Sequence, residues 1–223
     1  MGPAGLEPGK NQAFRRHWSR GSNRIPVQPV DPRHRIHNMQ TLARLLLRMF
    51  GWTLEHEDPG THRYVLIVGP HTSNWDFPIG LLAAWALDLR AHWMGKNTLF
   101  EGFLGPLFRA WRGIPVNRGQ PGKTIEKMAA RFAVADHFVL GLAPEGTRRA
   151  TDHWKSGFWH IARAAQVPVV MAYIDYGRKQ VGVGSAFMPG DDLENDFRQL
   201  QDFYADKRGR YPQQESAIRP RDA

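Results

Sequence analysis

An α/β fold, built on a largely parallel central sheet flanked by helices, is what this 223-residue sequence predicts on three observations. RYVLIV at 63–68 and FVLGL at the start of 138–146 are unbroken apolar runs, the pattern of strands covered on both faces. Segments with a helical period alternate with short extended ones, as in a series of strand–helix–strand units. Hydrophobic residues make up 42% of the chain, enough for the core of one domain of ordinary size.

The elements follow in order from residue 39. MQTLARLLLRMF (39–50) reads as a helix with Gln40, Thr41, Arg44 and Arg48 on one face and leucines around the rest. The strand at 63–68 leads to a helix near 74–88, a short strand AHWMGK (91–96) and a helix through LFEGFLGPLFRAW (99–111). GIPVNR (113–118) is a short strand before a helix from about Thr124 to Asp136. After the strand at 138–146, GFWHIARAAQ (157–166) is helical and VPVVMAYIDY (167–176) and QVGVGSAFM (180–188) are strands. DLENDFRQLQDFYADKRG (192–209) closes the pattern as an amphipathic helix, so the domain is expected over 39–211. Residues 1–38, rich in Gly, Pro, Arg, Asn and Gln without apolar period, read as a disordered basic extension, and 212–223 as a disordered tail. Patterned sequence begins abruptly at Met39, which makes that residue an alternative start of translation.

The net charge is +9, of which residues 1–38 hold +5 through seven Lys/Arg against Glu7 and Asp31. Such basicity suits an anionic partner: nucleic acid, a membrane surface or a phosphorylated substrate. No nucleic-acid-binding motif accompanies it, and the patterned region carries little excess charge, so nucleic acid is not the expected partner. The absence of cysteine excludes a disulfide framework, an iron–sulfur cluster and a thiol nucleophile. No apolar run approaches the ~18 residues of a membrane span, and Met1 opens neither a signal peptide nor a myristoylation pattern. A cytoplasmic protein is expected. Gly122-Lys123-Thr124 is not a phosphate-binding loop, because Asn117 stands where that motif needs its first glycine.

The chemistry centres on His71 and Asp76, just past the end of the 63–68 strand. Spacing alone allows two readings. Ser73-x-x-Asp76 fits a capping box at a helix start, where an acidic side chain also suits the helix dipole. Alternatively, a carboxylate on one ring nitrogen fixes the tautomer of His71, leaves the other nitrogen to take a proton, and balances the imidazolium that forms. A base of this kind contributes ~10²–10⁴-fold in rate. No Gly-x-Ser-x-Gly elbow is present, so the nucleophile would come from the substrate as a hydroxyl or amine.

These residues and three further blocks resemble the glycerolipid acyltransferases of the lysophosphatidate (1-acylglycerol-3-phosphate) type. His71-Thr-Ser-Asn-Trp-Asp76 is similar to the family's His-x4-Asp motif. Gly113-Ile-Pro-Val-Asn-Arg118 resembles the second block, and Pro144-Glu145-Gly146-Thr147-Arg148 the Glu-Gly-Thr-Arg block. Trp154-Lys155-Ser156-Gly157-Phe158 resembles the Phe-Lys-x-Gly stretch, and Val167-Pro168-Val169-Val170 the apolar fourth block. The matches run in order from about residue 42 to 176. Pro70 and Ala143 stand where Asn and Phe are common in the family, departures that bear on the acceptor rather than on the histidine chemistry, because in the family neighbours of the motifs shape the acceptor's pocket.

The resemblance implies a glycerol-3-phosphate-acyltransferase-like fold and transfer of a fatty acyl group from acyl-coenzyme A or acyl carrier protein. The acceptor is a hydroxyl of a lysophospholipid or related glycerolipid. His71 and Asp76 would be catalytic. Arg118, Glu145, Gly146, Thr147, Arg148 and Lys155 would bind substrate, the arginines gripping phosphate with a planar fork. No resident cofactor or metal is implied, the acyl carrier being a co-substrate. Trp154, Phe158, Trp159 and His160 read as structural. A thioesterase that uses the same pair with water is the nearest alternative. The lipid partners suggest a peripheral protein on the inner face of the cell membrane, with helix 39–50 laying its apolar face on the lipid.

Overall fold

Seven strands form one sheet in the computed structural model, which describes residues 32–117 and 119–221 and the side chains from Asn38 onward. They are β1 (Thr53–His56), β2 (Arg63–Gly69), β3 (Ala91–Lys96), β4 (Gly113–Val116), β5 (Phe138–Leu142), β6 (Val169–Asp175) and β7 (Gln180–Phe187). Their order across the sheet is β1-β7-β6-β2-β5-β3-β4. Every neighbouring pair is parallel except β6 and β7, which are antiparallel.

The unbroken apolar runs have a simple cause: both faces of the central strands are covered. On one face, Val65 and Ile67 of β2 join Leu140 of β5 and Val169 and Met171 of β6. There they meet Met128 and Phe132 of α4 (Pro121–Val134), Phe158 and Ile161 of α5 (Gly157–Ala165) and Phe197 and Leu200 of α6 (Leu193–Tyr204). Tyr64 and Leu66 point the other way, with Val170, Ala172 and Val183. On that side Ile174 and Val181 pack with Ala43 and Leu47 of α1 (Pro32–Met49) and with Ala83 and Ala86 of α2 (Asp76–Ala86). Trp154, Phe158 and Trp159 are core residues, as expected, whereas His160 lies exposed with its ring against Trp159.

Several expectations need correction. The first helix starts at Pro32 rather than Met39, so residues 32–38 are not part of a disordered extension; residues 1–31 lie outside those described. Proline is well tolerated in a first helical turn, and PRHRIHN has only Ile36 to mark an apolar stripe. The helix expected over 99–111 is split into a 3-10 turn (Asn97–Phe100) and α3 (Gly105–Ala110), because Gly102, Gly105 and Pro106 interrupt it. Strand β1 is an addition to the expected elements: TLEH has no apolar run and three of its four residues are exposed, as an edge strand allows. Residues 212–221 are not a free tail. They include a 3-10 turn (Pro212–Gln214) and the buried Ser216.

Candidate active site

Strand register builds the site. β2 and β5 lie side by side with Ile67 opposite Leu142, so the loops leaving their carboxyl ends meet although His71 and Glu145 are 74 residues apart in sequence. β6 flanks β2 on the other side, with Gly69 opposite Tyr173, and brings Tyr176 to the same end. A cis Gly69–Pro70 peptide leads into the His71 loop. This is the position at which open α/β sheets take their ligands.

His71 Nδ1 lies 3.0 Å from Asp76 Oδ2. Asp76 is buried, and its oxygens are further engaged: Oδ2 accepts the Ser73 backbone N–H at 2.9 Å, and Oδ1 accepts the Tyr176 hydroxyl at 2.7 Å. The Ser73 main chain and the His71 ring therefore meet on one oxygen of Asp76. Its bond to Ser73 N–H has the three-residue reach of a capping box, but α2 begins at Asp76 itself, with Trp75 as its N-cap and no side-chain cap; Ser73 Oγ accepts from Trp75 N–H, so the carboxylate braces the turn into the helix rather than capping it. With Nδ1 turned to the carboxylate, Nε2 is left for a proton from outside, and the His71 side chain retains 22% exposure. Burial first, and then the bond to Asp76, hold the Tyr176 hydroxyl protonated well above the ordinary tyrosine range.

Glu145 lies beneath this loop, 1% exposed. Its Oε1 accepts the main-chain N–H of His71 and its Oε2 the Ser216 hydroxyl at 3.1 Å. Burial pushes its carboxyl up to about 7, against the opposing pull of those two donors. Glu145 thus holds the backbone of the His71 loop rather than opening onto the site. Gly146 follows in a left-handed conformation (φ +65°), and a Cβ there would lie 2.8 Å from Lys155 Nζ, so the lysine side chain lies over this turn. Lys155 N–H donates to the Pro144 carbonyl at 3.0 Å, joining the two ends of the loop. Thr147 Oγ1 accepts from Arg149 N–H.

An open cleft of about 430 Å³ lies between Thr72, Asn74 and Trp75 of the His71 loop and Thr147, Arg148 and Arg149, with Tyr211 on a further side. Two arginines, Arg148 and Arg149, are among its lining residues, and their positive charge suits an anionic ligand. The structure thus brings His71, Asp76, Glu145, Gly146, Thr147, Arg148 and Lys155 to one end of the sheet, whereas Arg118 lies outside the described residues.

Sequence reasoning missed Tyr176, Ser216, Tyr211 and Arg210. Arg210 sits about 6 Å from the rings of Trp75, Tyr176 and Tyr211, at 5.9, 6.0 and 5.8 Å. Tyr176 closes the strand expected over 167–176 and directly follows β6, so its place at the carboxyl end of the sheet is a signal the sequence carries. The others lie in a segment without hydrophobic pattern.

Among solved structures, the chain is similar to the 1-acyl-sn-glycerophosphate acyltransferase PlsC from Thermotoga maritima, with a TM-score of 0.49 and 15% sequence identity over 78% of this chain and 80% of that one. No curated protein sequence matches it. The acyltransferase family model matches residues 33–175, a stretch that runs from the first helix to the last residue of β6 and includes the His71 loop and Glu145: this chain belongs to the acyltransferase family.

Proposed function

We propose that this protein is an O-acyltransferase that moves a fatty acyl group from acyl-coenzyme A or acyl carrier protein to a hydroxyl of a lysophospholipid or related glycerolipid. The observation that carries this reading is the contact of His71 Nδ1 with the buried, fully engaged carboxylate of Asp76. Nε2 of His71 takes the acceptor's hydroxyl proton as its oxygen attacks the thioester carbonyl. The tetrahedral intermediate collapses with loss of the carrier thiolate, which recovers the proton from His71. Asp76 balances the transient imidazolium. Arg148, in the cleft beside the loop, and Arg118 bind phosphate of the acceptor or carrier. Thr147 lines the same cleft, and Glu145, Gly146 and Lys155 hold the turn that carries Thr147 and Arg148.

The substrates are lipids, and the reading places the protein peripherally on the inner face of the cell membrane. Among the described residues, no helix is long and apolar enough to cross a membrane. Supporting a surface attachment, α1 exposes Leu42, Leu45 and Met49 on the side away from its buried Ala43 and Leu47, and Arg48 stands beside them.

Mass spectrometry of lipid products tests the reaction. Wild type and His71→Ala are incubated with acyl-coenzyme A or acyl carrier protein and a panel of lysolipids. The expected result is a new acylated lipid from wild type, reduced by at least about 10²-fold in the variant. Free fatty acid alone would make the protein a thioesterase. Equal product from both proteins would remove His71 from the chemistry.

A further inference from the structure

We propose that Ser216, supplied by the C-terminal segment, is a positioning residue of the active site: it holds Glu145 against the main-chain N–H of His71 and so fixes the loop that presents the imidazole. The inference rests on His71 being the base of the proposed reaction. Ser216 lies beyond the family match, which ends at residue 175.

The C-terminal segment is bonded to both walls of the site. On the His71 side, Tyr211 N–H donates to Thr72 Oγ1 at 3.2 Å. Gly209 passes so close that a Cβ there would lie 2.7 Å from the same oxygen. On the Glu145 side, Ala217 N–H donates to the Thr151 carbonyl at 3.0 Å and Trp154 N–H to the Arg219 carbonyl at 2.9 Å. Gln214 spans the two walls, its amide nitrogen placed to donate to the carbonyls of Thr72 and Arg148. Ser216 sits in the middle of this clasp, buried, with its hydroxyl on Glu145 Oε2.

A hydroxyl is the group this position requires. Glu145 offers two oxygens to two donors, His71 N–H and Ser216 O–H, in a place with little access to water. Ser216 Oγ also accepts from Thr151 N–H at 3.1 Å and lies 2.9 Å from Thr151 Oγ1, which is itself 2.9 Å from the His153 carbonyl. When Glu145 is ionised, Ser216 donates to it. When Glu145 is protonated, its O–H donates to Ser216 Oγ, the serine proton turns to Thr151 Oγ1, and Thr151 donates to the His153 carbonyl. The carboxyl is held in the same place in both states. Alanine would leave Oε2 without a donor and free the carboxyl to swing from His71 N–H.

The test compares Ser216→Ala and Ser216→Thr with wild type in acyl transfer to a lysolipid, and follows the Glu145 carboxyl by carbon-13 NMR across pH. For Ser216→Ala we expect kcat to fall about tenfold with KM within about twofold, since a displaced base loses rate rather than binding. The Glu145 titration should move to higher pH, because the charged form has lost a donor. Ser216→Thr, which keeps the hydroxyl, should recover most of kcat; Ser216→Cys replaces the alanine variant if that one does not fold. Wild-type kcat and an unmoved Glu145 titration in Ser216→Ala would overturn the inference, as would a threonine variant no better than alanine. His71→Ala is assayed alongside: full turnover there would overturn the underlying reaction, while the NMR titration would still decide the hold of Ser216 on Glu145.

Discussion

Replacing Asp76 by Asn removes one charge from the site while keeping nearly every atom in place, and so separates the two roles of this side chain. The carboxylate accepts three hydrogen bonds: from Ser73 N–H and His71 Nδ1–H on Oδ2, and from the Tyr176 hydroxyl on Oδ1. An asparagine satisfies all three positions in one orientation. Its carbonyl replaces Oδ2, and its NH₂ faces Tyr176, whose hydroxyl can turn to accept. The turn into α2 and the tautomer of His71 therefore survive. What is lost is the attraction between a carboxylate and the imidazolium that forms as the acceptor is deprotonated. For charges about 4 Å apart at an effective dielectric constant of about 20, that attraction is about 4 kcal/mol, or up to about 10³ in kcat. We expect Asp76→Asn to lose about 10²–10³ in kcat while melting within a few degrees of wild type. Asp76→Ala should lose a similar factor and also unfold more easily, because it strands the Ser73 N–H and Tyr176 O–H at about 1–3 kcal/mol each. Steady-state acyl transfer and thermal unfolding of the two variants, measured side by side, make the comparison. If Asp76→Asn keeps kcat within about threefold of wild type, the carboxylate performs no charge work and serves only the helix start.

The remaining predictions concern the buried glutamate and the first helix. Glu145 has its folded pKa raised from 4.5 to about 7, so the native state binds more protons than the unfolded chain between those values. Its contribution is fully present below about pH 4.5 and lost as pH rises through about 7, a difference of about 3 kcal/mol. Glu145→Gln imitates the protonated form, accepting from His71 N–H and donating to Ser216 Oγ. Urea unfolding at pH 5 and pH 8 should show this loss in wild type relative to the glutamine variant, and parallel pH dependences would refute it. On α1, Leu42 and Leu45 are each 54% exposed, so Leu42→Asp and Leu45→Asp should leave melting unchanged. Each should weaken co-sedimentation with vesicles containing anionic phospholipid by about tenfold or more, since a buried leucine contributes about 1.5–3 kcal/mol. Binding equal to wild type would dissociate α1 from any membrane role.

The parts of this molecule that were legible in its sequence are those whose signal is local or repeated. β2 and β6 announce themselves because both faces are covered, so every residue in them can be apolar. His71 and Asp76 were legible because a separation of only five positions determines whether they meet, and Glu145 because a parallel pair of strands brings two loops together at their carboxyl ends. β1 was not legible: its four residues are mostly exposed, and its pairing is decided by β7, about 125 residues away. Ser216 and Tyr211 were not legible for a related reason. A single hydrogen bond across the molecule leaves no periodicity, so a polar segment stitched to the site by such bonds reads like a polar segment stitched to nothing.

Asp76 ties the His71 ring to the turn that leads into α2. Oδ2 receives both the Ser73 N–H of the turn into α2 and the His71 ring, so the geometry of the helix entry and that of the proposed base are one geometry. From the far side, Glu145 fixes the His71 main chain, and Ser216 fixes Glu145. The imidazole is therefore held at its ring by an element that follows it and at its backbone by elements far along the chain. A perturbation at either end should reach the same atom, Nε2. Asp76→Asn and Ser216→Ala should both lower kcat more than they change KM, the first through charge and the second through position.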